Sequence, residues 1–190
     1  SYCIIPKIRG RFRSVPMQEL LNEAKRLASE GVKELVLVAQ ETTLYGKDLT
    51  GEKQLPLLLH ELCKIEGIEW IRLLYCYPEE ITDELIKVIK TEEKVCNYID
   101  MPIQHSENRI LQRMGRRTSR EDLVAVIKKL RKEIPDITIR TTLITGFPGE
   151  SQEDHEGLMN FVEECQFDRL GVFTYSPEED TLAATFEDQI

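Results

Sequence analysis

The chain has no apolar run approaching the ~18 residues that a membrane span needs, which excludes a transmembrane reading. Glycine and proline, 10 and 8 of 190 residues, are too few for a collagen-like or low-complexity polymer. The five cysteines, Cys3, Cys63, Cys76, Cys96 and Cys165, are odd in number and widely spread, with no signal-peptide pattern before them. A disulfide scaffold is set aside, and a reducing compartment, the cytoplasm, is expected. Only three histidines occur, no two at metal-ligand spacing, which argues against zinc. No serine stands in a nucleophile elbow. Positive charge is also short: 25 Lys and Arg against 34 Asp and Glu give −9, which discourages duplex nucleic acid as a whole-surface partner. With no starting methionine and an abrupt opening at Ser1, the sequence is expected to be a fragment or trimmed chain.

What is present is ordinary for a globule, 41% hydrophobic and 31% charged, and the length suits one domain. Apolar strand-like runs, Glu34–Gln40, Trp70–Cys76, Tyr98–Gln104, Ile137–Ile144 and Gly171–Tyr175, alternate with stretches of helical spacing. The helical stretches are Met17–Ser29, Leu55–Ile65, Asp83–Lys90, Arg120–Glu133 and Glu153–Cys165. Five βα repeats predict a parallel sheet covered by helices, either an open doubly wound sheet or a barrel. Helix punctuation agrees: Gly31, Gly67 and Pro135 follow helical stretches, and Ser151 with Asp154 predicts a capping box.

Strands of a covered parallel sheet should read as continuous apolar runs, so their ionisable interruptions carry information. Here the interruptions share a phase. Arg140 and Thr142 alternate against Ile139, Thr141 and Leu143; Asp100 and Gln104 alternate against Ile99, Met101 and Ile103. Gln40 and Arg72 take the same phase on their own strands, so all six are expected to converge on one polar lumen. The plainer alternative is a set of isolated satisfied polar groups, or a simple Arg72–Asp100 pair. Further polar residues crowd beyond the strand ends, where parallel α/β folds bind ligands.

Gly146–Glu150 (GFPGE) puts two glycines and a proline before a helix start, either a tight turn or backbone N–H groups facing an anion. It lacks the Gly-Lys-Ser/Thr of a phosphate loop. His105, at a strand end, is the histidine best placed for chemistry, whereas His60 and His155 have no evident task. Four cysteines sit in hydrophobic patterns and read as buried small residues; Cys3 lies in a polar, basic opening. Basic residues gather at Lys7, Arg9, Arg11 and Arg13, and at Arg109, Arg113, Arg116 and Arg117, where solvated faces are the default reading.

Several motifs are more specific. Tyr2-Cys3-Ile4-Ile5-Pro6 with Arg9-Gly10 and Arg13-Ser14 resembles the end of the Cys-x-x-x-Cys-x-x-Cys motif of radical S-adenosylmethionine enzymes, specifically the methylthiotransferases. Val38-Ala39-Gln40-Glu41-Thr42-Thr43 and Asp100-Met101-Pro102-Ile103-Gln104-His105 are similar to the branch acting on a small-subunit ribosomal protein, rather than to the branch acting on transfer RNA adenosine. Gly146–Glu150 and Tyr175–Glu179 complete the resemblance, which spans nearly the whole chain. Two departures stand out: Glu41 replaces an Asp, and Asp180 replaces a Gly before Thr181.

The resemblance implies an α/β fold, a partial TIM-like (βα) barrel of the radical S-adenosylmethionine type with its first strand and cluster loop truncated. Residues 1–190 would be the catalytic core, with an N-terminal methylthiotransferase domain and a C-terminal TRAM domain outside it, and the core alone is expected to be inactive. It implies a 4Fe–4S cluster with Cys3 as one of three thiolate ligands, and a second 4Fe–4S cluster in the N-terminal domain. S-adenosylmethionine would be held by Tyr2, Gln40, Gln104, Arg140, Thr142, Gly146 and Tyr175, with an Arg fork on its carboxylate. No catalytic side chain beyond the cluster ligands is assigned. The substrate would be an aspartate of a small-subunit ribosomal protein, the electron donor a reductant such as flavodoxin or ferredoxin. No membrane is involved, and nucleic acid enters only through the ribosome. The rivals are a transfer RNA adenosine methylthiotransferase and, for the isolated fragment, a non-catalytic binding module.

Overall fold

A computed structural model describes residues 1–190. Five strands run parallel: β1 (Glu34–Leu37), β2 (Trp70–Leu73), β3 (Tyr98–Asp100), β4 (Thr138–Thr145) and β5 (Arg169–Thr174). The helices are α1 (Ile5–Arg9), α2 (Met17–Ser29), α3 (Lys47–Thr50), α4 (Leu55–Cys63), α5 (Asp83–Thr91), α6 (Asn108–Met114), α7 (Arg120–Glu133) and α8 (Gln152–Cys165). None is long and apolar enough to cross a membrane.

β1 pairs with β2, and β4 with β3 and β5. The two groups meet through a bridge between Ile71 and Val95 and a bond from the Cys76 N–H to the Asp100 carbonyl, 2.8 Å. Spatial order therefore follows chain order. A doubly wound sheet reverses direction in its middle; this one does not, so right-handed crossovers carry the helices to one face and leave the other as the inner wall of a partial barrel.

Side-chain period explains which face is which. In β4, Ile139, Thr141 and Leu143 are buried against the helices, while Arg140, Thr142 and Ile144 are half-exposed toward the lumen. Ile71, Ile99 and Ile139 are fully enclosed at the centre of the main core, each stabilising by about 1.5–3 kcal/mol. Helix starts are set locally. The Ser119 and Ser151 side chains accept from the N–H groups of Asp122 and Asp154, whose carboxylates accept in return, giving two capping boxes. Thr82 caps α5 by accepting from Leu85 N–H, 3.2 Å.

A smaller apolar cluster closes the barrel mouth: Ile110, Met114, Phe147 and Ala183, flanked by Tyr2, Ile144, Tyr175 and Phe186. It joins the start of the chain to its end. The Ser1 amino group donates to the Met114 carbonyl (2.8 Å), and Ala183 N–H donates to the Ser1 carbonyl (3.0 Å).

Three strands are shorter than their apolar runs predict, and each stops for a visible reason. The Glu41 side-chain Oε1 accepts from Thr43 N–H and turns the chain into a 3-10 helix, so β1 ends at Leu37 and Gln40 lies exposed beyond it. Beyond β2 and β3, Tyr75 (φ 56) and Gln104 (φ 73) take left-handed conformations, which interrupt the ladders.

Candidate active site

The lumen is built in tiers. Deepest, Arg72 Nε donates to Glu34 Oε1 at 2.6 Å and the guanidinium lies over the Tyr98 ring, 4.9 Å from its centroid. Arg72 therefore pairs with Glu34, not with Asp100 as the simple-pair alternative holds. One tier higher, Arg140 Nη1 donates to Asp100 Oδ1 at 2.6 Å; that hydrogen bond holds the guanidinium charged and raises its pKa. Asp100 Oδ2 accepts the Tyr75 N–H at 3.1 Å. Arg169 stands beside Arg140 in register, and Arg72, Arg140, Arg169 and Asp100 all act electrostatically on Tyr98, whose phenol pKa is raised first by burial.

Gln104 is pinned by its backbone, donating to Thr142 and accepting from Ile144, so its left-handed turn is locked between strands. Thr142 lies on the lumen face beside it. Gln40, by contrast, stands exposed at the rim rather than on a strand.

The mouth is framed by the Gly146–Glu150 loop. Gly146 has φ +70 and a Cβ there would meet nothing within 4 Å, so its Cα faces open space; Gly149 has φ +82 and is crowded by Asp188 and Arg113. Glu150 is nearly sealed and folds back: Oε2 accepts Phe147 N–H at 3.0 Å, and Oε1 lies 3.2 Å from His155 Nδ1 and 3.6 Å from His105 Nε2. Burial pushes this carboxyl up, but the nearby His105 ring and the bonds from Phe147 and His155 outweigh it and hold its pKa below the ordinary value. The fully buried His105 accepts Glu107 N–H at Nδ1, so its proton sits on Nε2 and faces Glu150. His155, given no task by the sequence, completes this cluster. His60 only pairs with Glu92, on the surface.

Phe147 anchors the loop in aromatic contacts with Tyr2, Tyr175 and Phe186 at centroid distances of 6.4, 5.2 and 6.3 Å. The Tyr175 hydroxyl is enclosed without a hydrogen-bond partner. Cys3 is exposed at this mouth, close enough to Tyr2, Tyr77 and the Ser1 amino group to act on their charges. Cys76 and Cys165 are buried, while Cys63 and Cys96 are half-buried.

The second basic cluster is divided: Arg113 pairs with Asp188 and Arg116 lies over Tyr77, both half-buried, whereas Arg109, paired with Asp154, and Arg117 are exposed. Arg9, Arg11 and Arg13 are exposed without ion pairs, and Lys7 bonds the Asp180 carbonyl. Asp180 itself has φ 65, the conformation a glycine favours. The features hardest to read from sequence were the exposed, left-handed Tyr75 and the clasp of Asp188 on the loop.

These residues suit an adenosyl sulfonium ligand better than an iron–sulfur cluster. The open space at Gly146, the unpartnered Tyr175 hydroxyl and the cationic free edge of Arg140 are the features that would take the adenosyl group, a hydrogen bond and a carboxylate. For a cluster the residues present supply one thiolate, Cys3, and no group of three His, Cys, Asp or Glu side chains is placed to hold a metal.

A parallel partial barrel with a thiol and a glycine loop at its mouth defines a class. The profile of the radical SAM superfamily matches residues 1–162, and the chain belongs to that superfamily. In sequence it is 67% identical, over all 190 residues, to the ribosomal protein uS12 methylthiotransferase RimO of Lachnoclostridium phytofermentans, and 60% identical to that of Clostridium perfringens. It spans 43% of the length of each. In structure it is similar to methylornithine synthase PylB (TM-score 0.68, 15% identity, 99% of this chain and 52% of that one). It is also similar to coproporphyrinogen III oxidase HemN of Escherichia coli (TM-score 0.66, 20% identity, 88% of this chain and 39% of that one).

Proposed function

We propose that this chain is the S-adenosylmethionine-binding core of a cytoplasmic methylthiotransferase acting on an aspartate of ribosomal protein uS12. The observation that carries the reading is the 67% identity to a protein of that name, over all 190 residues of this chain. The superfamily's cluster and S-adenosylmethionine supply radical chemistry when bound. Cys3 contributes one thiolate to that cluster, and a second 4Fe–4S cluster belongs to a part of the protein beyond these residues.

The chain's own residues bind and orient. Arg140, fixed by Asp100, presents its free edge to the cofactor's carboxylate. Gly146 lets the adenosyl group approach the backbone, and Phe147, Tyr2 and Tyr175 wall it from water. Thr142, Gln104 and Gln40 line the path from strand to rim with hydrogen-bonding groups for the ribose. The electron donor is a small reductant protein such as flavodoxin or ferredoxin.

The test is to reconstitute the full-length protein anaerobically and offer it uS12 and transfer RNA in parallel, with mass spectrometry of both. One methylthio group on a uS12 aspartate is the expected result; modification of the RNA alone would overturn the substrate assignment.

A further inference from the structure

Tyr75 breaks the rule that governs its strand. Ile71 and Leu73 face the helices and are buried, so regular alternation would bury Tyr75 beside them and turn Cys76 into the lumen. The reverse is found: Tyr75 is 45% exposed and Cys76 is fully enclosed. The switch is made by the positive φ of Tyr75, a costly conformation for a bulky side chain. Its peptide is gripped on both sides, the N–H by Asp100 Oδ2 and the carbonyl by Thr42 N–H at 3.0 Å. The strain is thus maintained by the same carboxylate that holds Arg140.

We infer that Tyr75 is a specificity-determining residue whose phenol hydroxyl, with the free edge of Arg140, seats a carboxylate. Tyr75 and Arg140 are held by the two oxygens of one carboxylate, Asp100 Oδ2 and Oδ1, and no protein group hydrogen-bonds the phenol hydroxyl. Charge favours an anion: Arg72, Arg140 and Arg169 outnumber Glu34 and Asp100 on this face, in a chain whose net charge is −9. A guanidinium edge and a phenol O–H together match the two oxygens of a carboxylate. The inference rests on the lumen being the chamber proposed above, where two carboxylates meet, that of the cofactor's methionine and that of the target aspartate.

The experiment compares full-length wild type with Tyr75→Phe. Titration calorimetry with S-adenosylhomocysteine and with 5′-methylthioadenosine, which lacks the amino-acid end, reads the cofactor's carboxylate. Binding of uS12 and of its Asp→Asn variant at the modified position reads the target's. Loss of about tenfold in preference for the acid-bearing partner in either arm is the expected result, and the arm that changes names the source. Unchanged preference in both arms overturns the inference. A wild type that binds neither adenosyl ligand would instead sink the cofactor reading, so the two failures are distinguishable. Tyr75→Gly gives a readout independent of ligand: relief of the left-handed strain is expected to raise Tm by about 2 °C or more while the preference is lost. A lowered Tm with the preference retained would mark Tyr75 as structural only.

Discussion

Arg140 and Asp100 form an asymmetric pair: Nη1 lies 2.6 Å from Oδ1, yet the Asp100 side chain is 2% exposed while that of Arg140 remains 39% exposed. The acid is the buried, committed partner; the base keeps donors free.

The asymmetry predicts unequal costs. Arg140→Met strands a buried charge and is expected to cost about 3–5 kcal/mol, whereas Asp100→Asn leaves only a half-solvated cation and costs about 1–3 kcal/mol. Urea unfolding of the full-length variants, read at constant m-value, checks the order; equal midpoints would contradict it.

Glu41 predicts a pH dependence. Burial lifts its carboxyl from the ordinary 4.5 to about 8, and Oε2 has no partner. The folded state therefore keeps a proton that the unfolded chain releases, so stability falls as pH rises from about 4.5 to about 8 and levels off above. Cys76, Tyr77, Glu79 and Glu80 stand around it; the nearest cations are committed elsewhere, Lys53 to Glu80 and Arg116 to the Tyr77 ring. Glu41→Gln should flatten this slope, by a few kcal/mol at most, when unfolding is followed between pH 5 and 9.

The two glycines of the mouth loop should respond differently. Alanine at Gly149 meets Asp188 Oδ2 at 2.5 Å with φ +82, so the fold is expected to lose about 1–3 kcal/mol. Alanine at Gly146 carries similar left-handed strain (φ +70) but meets only open space, so its stability cost should be the smaller and its larger effect weaker S-adenosylhomocysteine binding. Melting curves paired with titrations separate the two.

Cys3→Ala should change stability by less than about 0.5 kcal/mol, because the thiol is exposed and makes no hydrogen bond. In the full-length protein the same change should lower bound iron and sulfide. Cys76→Ser buries a hydroxyl in a sealed position and should cost about 1–3 kcal/mol with iron content unaltered.

Strand phase was legible because a period of two needs only a few residues to declare itself, and Arg140, Thr142 and Asp100 lie where it put them. Chain-ordered strands could not be told from a doubly wound sheet by periodicity alone; the β2–β3 junction decides that. Strand ends were misjudged wherever a local event overrode the apolar run, the Glu41 cap and the left-handed Tyr75 and Gln104 among them. A signal existed at Tyr75. A bulky phenol on the helix-facing phase, followed by a small cysteine on the lumen phase, is the wrong way round for a regular strand. The helix α6 was hidden because its arginines dominated the reading, although Ile110, Leu111 and Met114 carry its buried face.

The bond from Gly149 N–H to the Asp188 carbonyl, with Arg113 reaching Asp188 Oδ1 at 2.5 Å, ties the chain's last residues to the turn that frames the mouth. Strain at Asp188 would be felt at that turn, so cutting this one tether, as in Asp188→Ala, should loosen the opening while leaving the lumen side chains in place.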